Sequence, residues 1–343
     1  MDRYLVIQPA FLGDALLTLP LLGKLRAAFP LAEIHWLVRK GIGELVLGHP
    51  WEIIPHEWDK SWRGWWDLWR RLAQRPWRTI IVVQRFFRMG LLGRLLPAEK
   101  YITYTKNPLS FLYTHALPHR FGDGTHEIER VLALGEPLGL SVELTPRPWL
   151  FPPESARQTT EAWRRRKPYL ILAPTSRWAT KEAPWTFWRT FLQRIGREFR
   201  IYVTGTAAER KRLIGFEAFH PQVEVLAGRL SLLELAALVA EAEAVYTVDS
   251  AVMHLATALN RPTAAVFCST TPAFGFGPRA ERYFILEPSV PLACRPCGRH
   301  GKSRCPQKHF LCGTSLNAAL LPVPHTLAAL SLPTHTASYP LEK

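Results

Sequence analysis

Three short segments hold residue types that could do chemistry together. The first, Gln8-Pro9-Ala10-Phe11-Leu12-Gly13-Asp14, precedes an amphipathic stretch containing Thr18 and Pro20. Gly13 permits a tight turn and close approach of a ligand, and Asp14 stands at the expected helix start, where the helix dipole favours an ionised carboxylate. A carboxylate there can accept a proton from a hydroxyl nucleophile. It can equally be an ordinary helix cap. The second segment, Ala173-Pro174-Thr175-Ser176-Arg177-Trp178-Ala179-Thr180-Lys181, offers hydroxyls, backbone amides and the point charge of Lys181 for a diphosphate. It has no Walker A pattern, which disfavours a P-loop NTPase, and its plainer reading is a solvated basic loop. The third is Val248-Asp249-Ser250-Ala251-Val252-Met253-His254-Leu255-Ala256. Amides at the start of the helix expected there would suit an anion, and His254, one turn in, faces that anion or sits hydrogen-bonded in the core.

These segments need elements to hold them. Residues 4–8 read as a strand, 9–13 as a break and 14–29 as a helix, with Leu16, Leu19, Leu22 and Leu25 at helical spacing. Further strands are expected at 33–38 and 79–83. In the second half, strands at 168–173, 201–204, 223–226, 244–248 and 263–267 alternate with helices at 185–199, 207–219, 232–243 and 252–259. Such alternation predicts parallel sheets covered by helices, and so an α/β fold with two doubly wound, Rossmann-like units. The expected organisation is a first domain over 1–150, a linker over 151–167, a second domain over 168–330 and a tail over 331–343. The stretch 144–167, with TPRPWLFPPES and the run WRRRK, has the composition of a connection. Each chemical segment then follows a strand, where ligands of such sheets bind, and two such units would face one another across a cleft.

Length and composition agree with this reading. At 343 residues the chain suits two domains, and 48% hydrophobic with 21% charged residues is a globular balance, which excludes a disordered tail protein. With 43 Lys and Arg against 28 Asp and Glu, the net charge of +15 points to an anionic partner. The apolar N-terminus lacks a basic n-region and is interrupted by Asp14, so a secretion signal is not expected. No stretch reads as a membrane-spanning helix either, and a cytoplasmic location is the default.

Two features stand apart. Cys294, Cys297, Cys305 and Cys312 have the count of a structural Zn site, without the tight double CxxC spacing, and are otherwise disulfides or free thiols. Residues 60–95 hold nine Lys or Arg against Asp67 alone, among them Arg63, Arg70, Arg71, Arg85 and Arg88. Trp58, Trp62, Trp65, Trp66 and Trp69 fall on one face if the segment is helical. Trp beside Lys and Arg is the composition of an interfacial membrane helix, although a core-facing aromatic stripe with a solvated basic face has the same pattern.

The segments GDALLTLPLLGKLRAAFP, TSRWATK, GTAAERKR and VDSAVMHLATALNRPTAAVF, in this order and spacing, resemble the ADP-heptose:lipopolysaccharide heptosyltransferases of glycosyltransferase family 9. The resemblance runs from about residue 5 to residue 312, and the Cys-rich segment is similar to that of the second heptosyltransferases. It implies a GT-B fold, with the acceptor on the N-terminal side and the nucleotide sugar on the C-terminal side. It implies inverting transfer of L-glycero-D-manno-heptose from ADP-heptose to the lipid-linked inner core of lipopolysaccharide, at the anionic inner-membrane surface, with the protein cytoplasmic and peripheral. Asp14 matches the family's catalytic carboxylate. Thr175, Ser176 and Lys181 match diphosphate contacts, and Glu209 matches a ribose-contacting acid. Leu230 sits where a backbone group meets adenine, and Asp249, Ser250, Ala251 and His254 match the Asp-Thr-Gly segment and its following His. Arg63, Arg70, Arg71, Arg85 and Arg88 are candidates for the acceptor or membrane.

There are departures. Asp-Thr-Gly is Asp249-Ser250-Ala251 here, which adds a methyl group near phosphate, and Lys-Arg-Trp-Pro is Lys181-Glu182-Ala183-Pro184-Trp185. These leave another nucleotide sugar or acceptor as the alternative. No cofactor is required beyond the ADP-sugar substrate. A nucleic-acid-binding protein is the rival from another class, and nucleic acid is not expected as a partner, because charge and aromatic content alone do not explain Asp14, Lys181 and Asp249 at strand ends.

Overall fold

The computed structural model describes residues 1–330 and the backbone of Thr334–His335; the rest of the expected 331–343 tail lies outside the described residues. The chain divides into two compact units, 1–153 and 154–343.

The first unit is built on six parallel strands: β1 (Arg3–Ile7), β2 (Glu33–Arg39), β3 (Ile53–Trp58), β4 (Trp77–Val82), β5 (Ala98–Tyr104) and β6 (His115–Leu117). Their order in the sheet is β3-β2-β1-β4-β5-β6. Leu5, Val6 and Ile7 in β1 and Ile80, Ile81 and Val82 in β4 are fully buried, the continuous apolar run of a strand covered on both faces. In register, Tyr4 pairs with Thr79 and Ile7 with Val82.

The second unit repeats the plan. Strands β7 (Tyr169–Ala173), β8 (Arg200–Val203), β9 (Val223–Val225), β10 (Ala244–Val248), β11 (Thr263–Val266), β12 (Tyr283–Leu286) and β13 (Thr334–His335) lie in the order β13-β12-β11-β10-β7-β8-β9, all parallel. Trp188, Phe191, Phe216 and Tyr246 fill its core. The α/β class with two doubly wound sheets is therefore the architecture present.

In both sheets the strand order reverses beside the first strand, between β1 and β4 and again between β7 and β10. A crevice opens at such a reversal, outside the carboxyl ends of the strands. Loops after β1 and β4 carry Asp14 and Arg85, and loops after β7 and β10 carry Ser176 and Asp249. The candidate residues of each unit thus gather where an open parallel sheet binds its ligands.

Some elements differ from the sequence-based expectation. The single helix over 14–29 is two, Leu12–Leu16 and Leu19–Ala28. Pro20 has no N–H to give the Leu16 carbonyl, so an uninterrupted helix would lose that bond. The segment 207–219 is a relay of short turns, Ala207–Glu209, Arg210–Leu213 and Ile214–Ala218, with Gly215 in its middle. Helix 185–199 stops at Leu192. Strands β3, β5, β6 and β12 were not expected; Pro55 lies within β3, where an edge strand tolerates the missing donor. Within the stretch read as a linker, residues form helices Glu154–Thr159 and Glu161–Arg164. Arg157 and Lys167 reach Glu241 at 3.2 and 2.9 Å, and Arg164 pairs with the same carboxylate.

Candidate active-site loops

In the first unit, β1 ends at Ile7 and the helix begins at Leu12, so Asp14 falls in the first turn rather than at the cap. Its carboxylate accepts the Phe11 N–H at 3.3 Å, which closes the loop on itself. Thr18 Oγ1 donates to the Asp14 carbonyl at 2.9 Å and bridges the break between the two helices. Burial pushes the Asp14 carboxyl up to about 6, the Glu127 carboxylate adds to this, and the Phe11 N–H and the Arg85 guanidinium oppose it. A carboxyl poised near 6 is ionised at neutral pH, yet basic enough to take a proton from a hydroxyl.

Behind it runs a polar chain of which sequence reasoning named only Arg85. Arg85 Nη1 lies 3.2 Å from His119 Nδ1, His119 Nε2 lies 3.1 Å from Glu127 Oε2, and Arg130 Nη1 donates to that oxygen at 2.8 Å. With Nε2–H facing the carboxylate, Nδ1 is left to accept from Arg85, so His119 fixes both neighbours. The Glu127 carboxyl is raised by burial but held below its ordinary value on balance by His119 and Arg130. Nearby, Gln8 is buried, with Oε1 lacking a partner among the described residues. The signal for Arg85 and Gln8 was positional, since both follow strands at the point of reversal.

The five arginines expected to meet acceptor or membrane do not form one group. Arg85 belongs to the chain beside Asp14. Arg88 donates to the Lys60 carbonyl at 3.1 Å and lies over the Trp58 and Trp62 rings. Arg63, Arg70 and Arg71 project from the exposed face of the helix Trp62–Leu72. The tryptophan stripe also divides: Trp58 ends β3, Ser61 caps the helix, Trp65 is buried, and Trp62 and Trp66 are 56% and 51% exposed. A helix turns about 100° per residue, so adjacent Trp65 and Trp66 cannot share one face.

In the second unit the loops after β7 and β10 meet. Lys181 Nζ lies 2.7 Å from Asp249 Oδ2, which also accepts from Thr270 Oγ1 at 2.7 Å. Ser176 Oγ donates to the Asp249 carbonyl at 3.3 Å. The Ser250 hydroxyl lies 3.0 Å from Thr247 Oγ1 and makes no cap bond, so the first amides of the helix Ala251–Ala258 are not occupied by it. His254 is buried within that helix with no partner at Nδ1 among the described residues. Burial drives its imidazole down to about 4, with Lys181 acting in the same sense and Asp249 opposing, so it is neutral at pH 7. Thr175, at the end of β7, stays half-exposed beside Ser176.

Glu182, noted in the sequence only as a departure, is a hub. It accepts the Ser176 N–H at 3.0 Å and a two-pronged pair from Arg212, both prongs at 2.7 Å. Arg212 also reaches Glu209 at 3.6 Å, and Glu209 takes the Thr206 N–H and hydroxyl, each at 2.7 Å. Gly228, at φ +71°, donates to the Gly205 carbonyl and runs so close to Ala207 that a Cβ would come within 2.5 Å of its Cα. This close approach brings the turn carrying Leu230 against the loop carrying Glu209.

The Cys-rich segment braces these loops. Lys302 N–H donates to Thr180 Oγ1 at 2.8 Å, Thr180 N–H to the Lys302 carbonyl at 3.1 Å, and Cys297 N–H to the Ser269 carbonyl at 2.8 Å. Arg295 donates to the carbonyls of Cys268 and Thr270, both at 2.6 Å, and pairs with Glu287. Among the described residues, no three His, Cys, Asp or Glu side chains are arranged to hold a metal ion, so the possibility of Zn on Cys294, Cys297, Cys305 and Cys312 gains no support. Cys312 is turned into the apolar core, where burial pushes its thiol up to about 11. Cys297 Sγ donates to the Cys294 carbonyl at 3.3 Å, and Cys294 Sγ faces His309 at 3.9 Å.

Comparison with known proteins gives a consistent result. Residues 65–305 match the model of glycosyltransferase family 9 (heptosyltransferase). Lipopolysaccharide heptosyltransferase 1 of Pseudomonas aeruginosa is 30% identical over 320 residues, 86% of each chain. Escherichia coli heptosyltransferase WaaC, solved with ADP, superposes with a TM-score of 0.68 at 22% identity over 82% of this chain and 92% of its own. Its structure with ADP-2-deoxy-2-fluoro heptose gives 0.65 at 22% over 92% and 96%. Escherichia coli ADP-heptose lps heptosyltransferase II gives 0.68 at 20% identity over 90% and 96%.

Proposed function

We propose, on the premise that this chain belongs to glycosyltransferase family 9, that it moves L-glycero-D-manno-heptose from ADP-heptose onto the inner core of lipopolysaccharide, with inversion. The observation that carries the reading is the pairing of Lys181 with Asp249, which also accepts from Thr270, in a loop cluster beside a helix start that no side chain caps. A donor that leaves as a nucleoside diphosphate needs such a cation where negative charge develops.

The roles follow from the chemistry of the groups. Asp14 accepts the proton of an acceptor hydroxyl as its oxygen attacks the anomeric carbon. The bond from that carbon to the β-phosphate oxygen breaks, and its electrons leave on ADP. Lys181 balances the charge on the departing diphosphate, with Thr175, Ser176 and the amides of Ser250 and Ala251 as further donors. Neutral His254 supplies a hydrogen bond rather than a charge. Glu209 and the backbone at Leu230 serve the ribose and the adenine. Arg85, held by His119, faces the phosphorylated acceptor on the side of the base. The relatives support this donor: one is named for lipopolysaccharide heptosyl transfer, and WaaC is solved with ADP and with an ADP-heptose analogue.

The protein is proposed to act in the cytoplasm, peripheral to the inner membrane, with no metal needed for the chemistry. Among the described residues no helix is long and apolar enough to cross a membrane. A second reading keeps the family and changes the sugar or acceptor; the methyl group of Ala251, where the family has Gly, favours it. Thermal shift with ADP and UDP separates the two. Stabilisation by ADP and not by UDP at equal concentration supports the adenine assignment, and the reverse order contradicts it.

A further inference from the structure

The helix Trp62–Leu72 is only half used by the core. Trp65, Leu68 and Leu72 are buried, while Trp62 and Trp66 stand outward beside Arg63, Arg70 and Arg71. A shallow depression of about 500 Å³ lies there, lined by Arg63, Trp66, Asp67 and Arg70. Asp67 is the only acid in residues 60–95, Glu99 and Asp2 outside it reach Arg78, and the 4.0 Å pairing of Asp67 with Arg70 is exposed on both sides, so it offsets little of the charge of Arg63, Arg70 and Arg71.

The apolar part extends past this helix. Trp65 Nε1 donates to the Arg88 carbonyl at 3.0 Å and Trp69 Nε1 to the Leu95 carbonyl at 3.4 Å, which ties on the helix Phe87–Leu95. At its start Phe86 and Phe87 are 71% and 49% exposed. Asn107 and Tyr113, bonded to the Gln84 and Gly90 carbonyls at 3.4 and 2.7 Å, pin a third segment, whose Phe111 is 78% exposed. Lys60, its carbonyl bonded to Arg88, lies 5.0 Å from the ring of Phe11, in the loop that carries Asp14.

We propose that this face of the first unit docks on an anionic phospholipid bilayer, with Trp62, Trp66, Phe86, Phe87 and Phe111 entering the interface and Arg63, Arg70 and Arg71 meeting the phosphates. Outward aromatic rings among unbalanced arginines complement a surface that is apolar beneath and anionic above. A soluble polyanion fits less well. Base stacking needs open ring faces, whereas Trp66 is wedged edge-to-face between Trp65 and Trp69 at 5.1 and 5.7 Å, and Arg88 covers Trp62. The inference extends the proposed lipid-linked acceptor, but its test needs neither donor nor acceptor, so either idea can fail alone.

The test is co-sedimentation of the full chain with phosphatidylcholine vesicles, with and without phosphatidylglycerol. Binding should require phosphatidylglycerol and weaken with salt. Replacing Arg63, Arg70 and Arg71 by Gln should lower affinity on the order of fivefold per charge. W62S/W66S should lower it while leaving Tm and ADP-induced stabilisation unchanged, which separates docking from misfolding. Absent binding to anionic vesicles, binding equal in wild type and both variants, or retention on a short single-stranded DNA in place of vesicles would overturn the proposal.

Discussion

Lys181 and Asp249, separated by 67 residues in the chain, form a 2.7 Å ion pair between two loops at the reversal of the second sheet. The pair is largely shielded, and Asp249 keeps a second donor in Thr270. A lysine held this way is pre-positioned: a diphosphate entering beside it finds the ammonium already in place, without the entropy cost of ordering a long side chain. Replacing Lys181 with Met should therefore lower ADP affinity roughly 10- to 100-fold, the worth of a charge-assisted hydrogen bond, as read by calorimetry. Asp249→Ala should instead lower Tm, because it strands a shielded cation.

Glu182 and Arg212 join the loop carrying Ser176 to the acid Glu209. Their two-pronged geometry is one that Lys cannot reproduce. Glu182→Gln and Arg212→Lys should each weaken ADP binding several-fold, and the double variant should be no worse than either single one, the signature of residues acting as a unit. Additive losses would show that they act separately.

A pH dependence resides in the first sheet. His35 Nδ1 and His56 Nε2 lie 2.8 Å apart across β2 and β3, and burial, then His35, Arg71 and Arg3, lower the His56 imidazole to about 4. Burial also lowers His35, against the pull of Glu33. The fold thus binds fewer protons than the unfolded chain below about 6.5, so the pair's contribution is complete above that pH and is lost as pH falls toward about 4. Asp14, raised to about 6, acts in the opposite sense, since its ionised form opposes folding above that value. Tm measured against pH should be flatter in His56→Gln than in wild type between about 6.5 and 4. Parallel curves would contradict the pairing.

How much of this was legible in the sequence depends on distance along the chain. Strand β10 and the loops holding Asp14, Lys181 and Asp249 could be read from local apolar runs ending in Gly, Ser, Asp or Lys. The two-part helix after Asp14 needed only the weight of Pro20. Strands β5 and β6 were missed because AEKYITY and HAL are short and mixed, and only pairing, of β5 with β4 and of β6 with β5, makes them strands. Glu182 looked like a lost family residue until Arg212, 30 positions on, supplied its partner. The spacing of the four cysteines could not tell Zn from free thiols, nor report that Cys312 lies in the apolar core.

Asp14 is the proposed base of heptosyl transfer. Its most direct test is the pH profile of product formation, followed by mass, from ADP-heptose and a truncated inner-core acceptor, with wild type and Asp14→Asn. The wild type should form the heptosylated product at a rate that climbs through pH about 6 to a plateau, as the carboxyl at that value ionises. The variant should be slower by roughly 100-fold or more, the usual worth of a positioned base, while ADP still raises its Tm. An Asp14→Asn protein that turns over at the wild-type rate, or a wild-type rate that stays flat across pH 6, would contradict it.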